Sequence, residues 1–223
     1  LNSLASEPDM LTTLTLASLF AFSPAVGPSI CVAPGPTEVI ENYRELYQAG
    51  IGYEAFLEAA NRRKDLWHGN SAKAEGIAMS VVERARAVGG TWHFLVVAID
   101  SCSDSVSTVP YLAELAAQVD GLEVRIVDPT AGRAVMEGHR TPDGRASTPT
   151  VLLLDSEYEE AGCFIERPIS LQDWMLANDG KIARSDLIEQ KMEWYAENAG
   201  QETVAELVSI LEAAASGRAV CGR

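Results

Sequence analysis

Apolar residues recur along the chain in two rhythms, a helical one from Val39 to Val88 and a strand-like one that first appears at Trp92. Thr37, with Glu38 and Glu41 behind it, has the chemistry of a helix start, and Val39, Ile40, Tyr43, Leu46 and Tyr47 return on one face until Gly50. The same spacing predicts a second helix from about Tyr53 to Trp67, with Phe56, Leu57 and Ala60 inward. A third helix is predicted from about Ala74 to Val88, ended by Gly89-Gly90.

The rhythm changes at Trp92-His93-Phe94-Leu95-Val96-Val97-Ala98-Ile99, a continuous apolar run rich in aromatic and β-branched residues, as expected of a strand buried on both faces. After Asp100 to Ser105, the stripe Val109, Leu112, Leu115, Ala116 and Val119 predicts a helix. Leu122 to Val127 then reads as a second strand, so a parallel crossover is expected. A short helix from about Ala131 to Gly138 and a polar loop through Thr141-Pro142-Asp143-Gly144 lead to Ser147-Thr148-Pro149 and the strand Thr150 to Leu154. Ala161 to Glu166 is close enough to pair with it as a hairpin, and Leu171, Trp174 and Met175 open another helix. The order is β-α-β-α-β-β-α, an α/β class with a central mixed sheet. Helices from about Ser185 to Asn198 and Glu202 to Ala215 follow, with Trp194, Tyr195, Val204, Leu207, Val208 and Leu211 facing a core.

Five segments result: 1–36 as a signal-like or poorly ordered extension, 37–90 as a helical preface, 91–178 as the α/β domain, 179–215 as helices packed on it, and 216–223 as a flexible tail. The apolar stretch Leu11 to Phe22 is too short to span a bilayer but suits the core of an export signal, while the absence of Lys or Arg before Arg44 argues against one. A cytoplasmic location is expected, with export as the alternative.

The formal net charge of −15 disfavours phosphate backbones and anionic membrane surfaces, and the basic run Arg62-Arg63-Lys64 reads as a solvated helix face. Neither nucleic acid nor a membrane span is expected. Cys31, Cys102, Cys163 and Cys221 are scattered and form no C-x-x-C pair, and His68, His93 and His139 stand at no ligand spacing from a cysteine. No metal and no cofactor is therefore expected. Cys163 reads as a buried inert thiol, its place on the hairpin arguing against a bridge to Cys102, while Cys221, on a flexible tail, stays open as a thiol that resolves Cys102.

The reactive candidate is Cys102, at the junction of a buried strand and a helix, where unpaired N–H groups and the helix dipole favour thiolate. Only the thiolate attacks a disulfide or peroxide. Asp104 either opposes that effect as a neighbouring carboxylate or satisfies the helix dipole as a first-turn acid.

Cys102 at the end of the first strand, Pro110 eight residues on, and Thr148-Pro149 heading a later strand together resemble the thioredoxin superfamily. The similarity is strongest to uncharacterised bacterial thioredoxin-like proteins with a helical N-terminal extension, a W-C-G-D motif and a G-R-W-G-P-R-P-like strand end. Here Ser101-Cys102-Ser103-Asp104 and Gly162-Cys163-Phe164-Ile165-Glu166-Arg167-Pro168 stand in those places, and the likeness runs from about Glu41 to Leu211. The resemblance implies a kink at Pro110, a cis Pro149 facing Cys102, and Thr148, Pro149 and Ser101 as substrate contacts. It also puts Ser105 where dithiol members carry a second cysteine, and a hydroxyl cannot resolve a mixed disulfide. The implied function is a monothiol thiol-disulfide oxidoreductase acting through Cys102 on protein or low-molecular-weight thiols and disulfides, with an external resolving thiol. The alternatives are a non-catalytic binding module using the Pro149 edge, and a thiol peroxidase drawing on Arg145 as its cation.

Overall fold

The computed structural model of the chain describes residues 43–221. The expected Thr37 helix start, the export-signal candidate and Cys31 lie outside them. Among the described residues four helices precede the sheet: α1 (Arg44–Ala49), α2 (Tyr53–Ala59), α3 (Lys64–Ala74) and α4 (Met79–Val88). Then come β1 (Trp92–Val97), α5 (Ser103–Gln118), β2 (Leu122–Val127), α6 (Arg133–Gly138), β3 (Thr150–Leu154) and β4 (Glu160–Ile165). The chain continues through α7 (Ile169–Asn178), α8 (Arg184–Asn198), α9 (Gln201–Ala215) and β5 (Val220–Cys221).

Among the described residues the sheet order is β2-β1-β3-β4-β5. β1 is parallel to β2 and antiparallel to β3, and β4 is antiparallel to β3 and parallel to β5. The β-α-β-α-β-β-α order read from the sequence is present, with the predicted crossover and hairpin. The alternation of side chains along a strand divides the core. Phe94, Val96, Val151, Leu153 and Phe164 pack with α3, α4, α5 and α9 on one face. Leu95, Val97, Leu152, Leu154 and Cys163 meet Tyr43, Tyr47 and Val135 on the other. Burial on both faces is what the unbroken apolar run at β1 signals.

Two expectations need correction. The helix predicted over Tyr53 to Trp67 breaks after Ala59, and Trp67 lies inside α3, which runs on past the predicted gap to Ala74. The cause is distant in sequence: the Asp100 carboxylate accepts the Asn61 and Arg62 N–H groups at 2.8 and 2.9 Å, and Arg63 turns left-handed at φ 52°. Trp67 Nε1 then donates to Asp100 O at 3.0 Å, tying the helical preface to the end of β1. The second correction is the tail. Val220 and Cys221 pair with Gly162 and Cys163 as an edge strand, and Cys221 is disulfide-bonded to Cys163. Cys163 is buried as expected, but it is not a free inert thiol.

Gly200 starts α9 with φ 76°, and a Cβ there would overlap the Tyr111 ring of α5. That contact requires glycine on both counts, conformation and space. The first N–H of α7, on Ile169, donates to Glu206 of α9 at 2.9 Å. Burial raises the Glu206 carboxyl from 4.5 to about 6, with the charge of Glu202 adding to the effect.

A carboxyl raised in the folded state loses stability as pH climbs from its unfolded to its folded value. Glu206→Gln keeps the acceptor for Ile169 and removes the buried charge. It is expected to stabilise the protein at pH 7 by up to ~2 kcal/mol in urea unfolding, with the gain vanishing below pH ~4.5. A gain independent of pH would contradict this account of Glu206.

Candidate active site

Cys102 is the N-cap of α5, and the position follows from how β1 ends. The Cys102 N–H donates to Ile99 O at 3.1 Å, closing a turn, and Arg63 Nε holds the Ser101 carbonyl at 2.6 Å. α5 continues through Pro110, which has no N–H for the carbonyl four residues earlier. That carbonyl, Val106 O, accepts Asn70 Nδ2 of α3 at 2.8 Å instead. A side chain from the helical preface thus replaces the bond that proline removes.

The Cys102 sulfur is partly buried and has two polar neighbours. It accepts the Ser105 N–H at 3.4 Å and donates its S–H to Thr148 O at 3.1 Å. The first contact also serves a thiolate, whereas the second is available only to the protonated thiol. The Thr148–Pro149 peptide bond is cis. Its surroundings are held on both sides, by Thr150 Oγ1 donating to Ser147 O at 2.8 Å and by the Glu166 N–H donating to Pro149 O at 2.7 Å. Ser105 is fully buried, and its hydroxyl finds no partner among the described residues. Cys102, Ser105, Thr148 and Pro149 therefore converge, while Ser101 offers its carbonyl to Arg63 rather than to the sulfur.

Asp104 does something the sequence reading did not include. Its carboxylate, 5% exposed, accepts Lys191 Nζ at 2.8 Å and Tyr195 OH at 2.9 Å, both from α8. Arg167 Nε stands 3.3 Å from the same group as an ion pair without hydrogen-bond alignment. Lys191 also donates to Ser103 Oγ at 2.8 Å. Burial and then the Asp104 charge push the Tyr195 hydroxyl well above its ordinary value, so it remains a donor. Arg167 reaches Glu166 at 2.6 Å, and Glu166 accepts both terminal nitrogens of Arg145 at 3.0 Å. Asp143 takes Arg145 Nε at 2.6 Å.

The network balances two buried acids (Asp104, Glu166) against two buried bases (Lys191, Arg167), as charges removed from water require, with the half-exposed pair Arg145 and Asp143 at its rim. Glu166 is placed for it by a left-handed backbone at φ 65°. Hydrogen bonds to Glu166 and Asp143 hold the Arg145 guanidinium above its ordinary value, and each of its three nitrogens donates to one of these two carboxylates. A cleft of about 430 Å³ opens beside the network from Ser103 and Asp104, with Arg184, Asp179 and Gln172 on its walls. The Gln172 amide is buried there, and neither of its polar atoms finds a partner among the described residues.

Cys102 is the one free cysteine among the described residues. Cys163 pairs across the hairpin with Leu152, three residues beyond Pro149, so it stands roughly 10 Å along the strand from that proline. It is also bonded to Cys221. Neither is positioned to resolve a disulfide at Cys102.

A family whose members are described as thioredoxin matches residues 50–193. Two solved structures share the fold. A Pseudomonas aeruginosa protein of unknown function is 20% identical, with a TM-score of 0.59 over 78% of this chain and 98% of its own. An HIV epitope scaffold is also 20% identical, with a TM-score of 0.58 over 77% of this chain and 98% of its own. No curated protein matches the chain.

Two stability measurements check the construction of the site. Asn70→Leu leaves Val106 O without its donor and is expected to cost about 1–3 kcal/mol in urea unfolding; no loss would mean that the carbonyl is satisfied otherwise. Asp104→Ala leaves Lys191 and Arg167 short of a counter-charge and is expected to cost about 3–5 kcal/mol, much of it recovered in Asp104→Leu combined with Lys191→Met. Additive losses in the pair would contradict the coupling.

Proposed function

Because this chain belongs to the thioredoxin family, we propose that it is a monothiol thiol-disulfide oxidoreductase working through Cys102. The observation that carries the reading is the placement of the Cys102 sulfur, capped by the Ser105 N–H and lying against the Thr148 carbonyl beside Pro149. The Cys102 thiolate attacks one sulfur of a disulfide, and the other leaves as a thiolate with the bonding pair. Cys102 is then joined to the retained half. An external thiolate attacks that mixed disulfide, takes the retained half and returns Cys102 as thiolate.

When Cys102 gives up its proton, the Thr148 carbonyl is free to accept an N–H from an extended substrate segment. The Ser105 N–H stays on the sulfur throughout. Asp104 is a positioning residue, not a proton carrier, since its oxygens are committed to Lys191, Tyr195 and Arg167. The cleft starting at Ser103 and Asp104 bears charges of both signs and suits a small peptide thiol with charged ends as the resolving partner.

A second reading, a non-catalytic thioredoxin-fold module that grips a peptide at the Pro149 edge, draws on the lack of a resolving thiol at position 105, where Ser105 offers only a hydroxyl. Kinetics separate the two. Turnover of a small disulfide is expected to rise in proportion to an added monothiol and to fall to background in Cys102→Ser. Ser105→Cys, which puts a second sulfur in an unpartnered buried site, is expected to release the retained half without any added thiol. Unchanged rates in Cys102→Ser would transfer the case to the binding module.

A further inference from the structure

On the sheet face opposite α5, four side chains from separate parts of the chain converge: His139 just after α6, Glu160 and Cys163 of β4, and Cys221 of β5. One ligating atom from each lies within 4.8 Å of the other three. A tetrahedral zinc ion with bonds of about 2.0–2.3 Å needs donors roughly 3.3–3.8 Å apart, so small side-chain adjustments suffice. Glu160 Oε1 already stands 3.7 Å from Cys221 Sγ and 2.8 Å from His139 Nε2.

Two further contacts resemble the supports that ligands receive in metal sites. His139 Nδ1 lies 2.8 Å from Val135 O, which fixes the ring as an Nδ1–H donor and turns Nε2 into the site. With Nδ1 so committed, only a proton or a metal ion can mediate between Nε2 and the Glu160 oxygen facing it. Tyr43 OH donates to the other Glu160 oxygen at 3.2 Å, orienting the carboxylate. None of these groups has a part in the proposed chemistry at Cys102.

We propose that reduction of the Cys163–Cys221 disulfide converts this cluster into a zinc site with two thiolates, one imidazole and one carboxylate, so that the β4–β5 edge is closed either by a disulfide or by a metal. The exchange balances with an external dithiol as reductant. The dithiol gives up two electrons and two protons and leaves as its own disulfide, and Cys163 and Cys221 become thiols. Zinc then takes both sulfurs as thiolates and displaces the two protons to solvent. Four protein donors and no open position make the site structural.

The test uses the full chain, reduced and freed of reductant without oxygen, with Zn²⁺ or Co²⁺ alone as probe. One equivalent is expected to bind, Co²⁺ showing tetrahedral bands and thiolate charge transfer. Alkylation mapped by mass should find Cys163 and Cys221 protected, and Cys102 reactive. The oxidised chain should bind neither ion. His139→Ala and Glu160→Gln leave both cysteines in place and are each expected to weaken zinc by about tenfold or more. Failure of the reduced chain to bind, protection of other cysteines, or unchanged affinity in both variants would overturn the site without touching the Cys102 reading.

Discussion

A carboxylate withdrawn from water at the head of a helix has to be neutralised, and much of the architecture around Cys102 follows from how Asp104 meets that requirement. The helix dipole alone is worth only about 0.3–1 kcal/mol to an acid in its first turn, too little to hold a charge that is 95% buried. Lys191 and Tyr195 come from α8, 87 and 91 residues away, and Arg167 comes from just beyond β4. The C-terminal helices are thereby fastened to the first turn of α5, next to the sulfur. A charge that would oppose a thiolate is shared among cations instead, and the same chain of ion pairs runs through Glu166 to the Pro149 carbonyl.

The other side of the site depends on the helical preface. Pro110 takes a hydrogen bond out of α5, and Asn70 of α3 satisfies the carbonyl left over; Asp100, in the turn after β1, caps the break between α2 and α3. The preface and the C-terminal helices thus hold the Cys102 loop from two directions, leaving the Cys102 sulfur among main-chain groups. On the opposite sheet face the remaining described cysteines form a separate unit, with His139 and Glu160 beside them.

The fold was largely legible because its signals are local. A continuous apolar run means a strand buried on both faces, the spacing of Val109, Leu112 and Leu115 means a helix, and Cys102, Pro110 and Thr148-Pro149 stand in a recognisable order. The break after Ala59 was not legible, since it is made by Asp100 far along the chain. The partners of Asp104 were not either: Lys191 and Tyr195 read as ordinary helix residues, and only the fold turns them toward α5. An i, i+4 pair of a lysine and a core-facing tyrosine on α8 was the one available hint. The Cys163–Cys221 bond was missed because two residues were enough to make β5, and no periodicity can announce a strand that short.

The central claim is that Cys102 is the reacting sulfur, and its most direct test is chemical. The native protein is exposed to a stoichiometric small disulfide, quenched in acid, and the adduct mapped by peptide mass. The account predicts a mixed disulfide at Cys102 that disappears on adding a monothiol, with the Cys163–Cys221 peptide pair intact. An adduct confined to other cysteines, or an unmodified Cys102 after full consumption of the reagent, would contradict it.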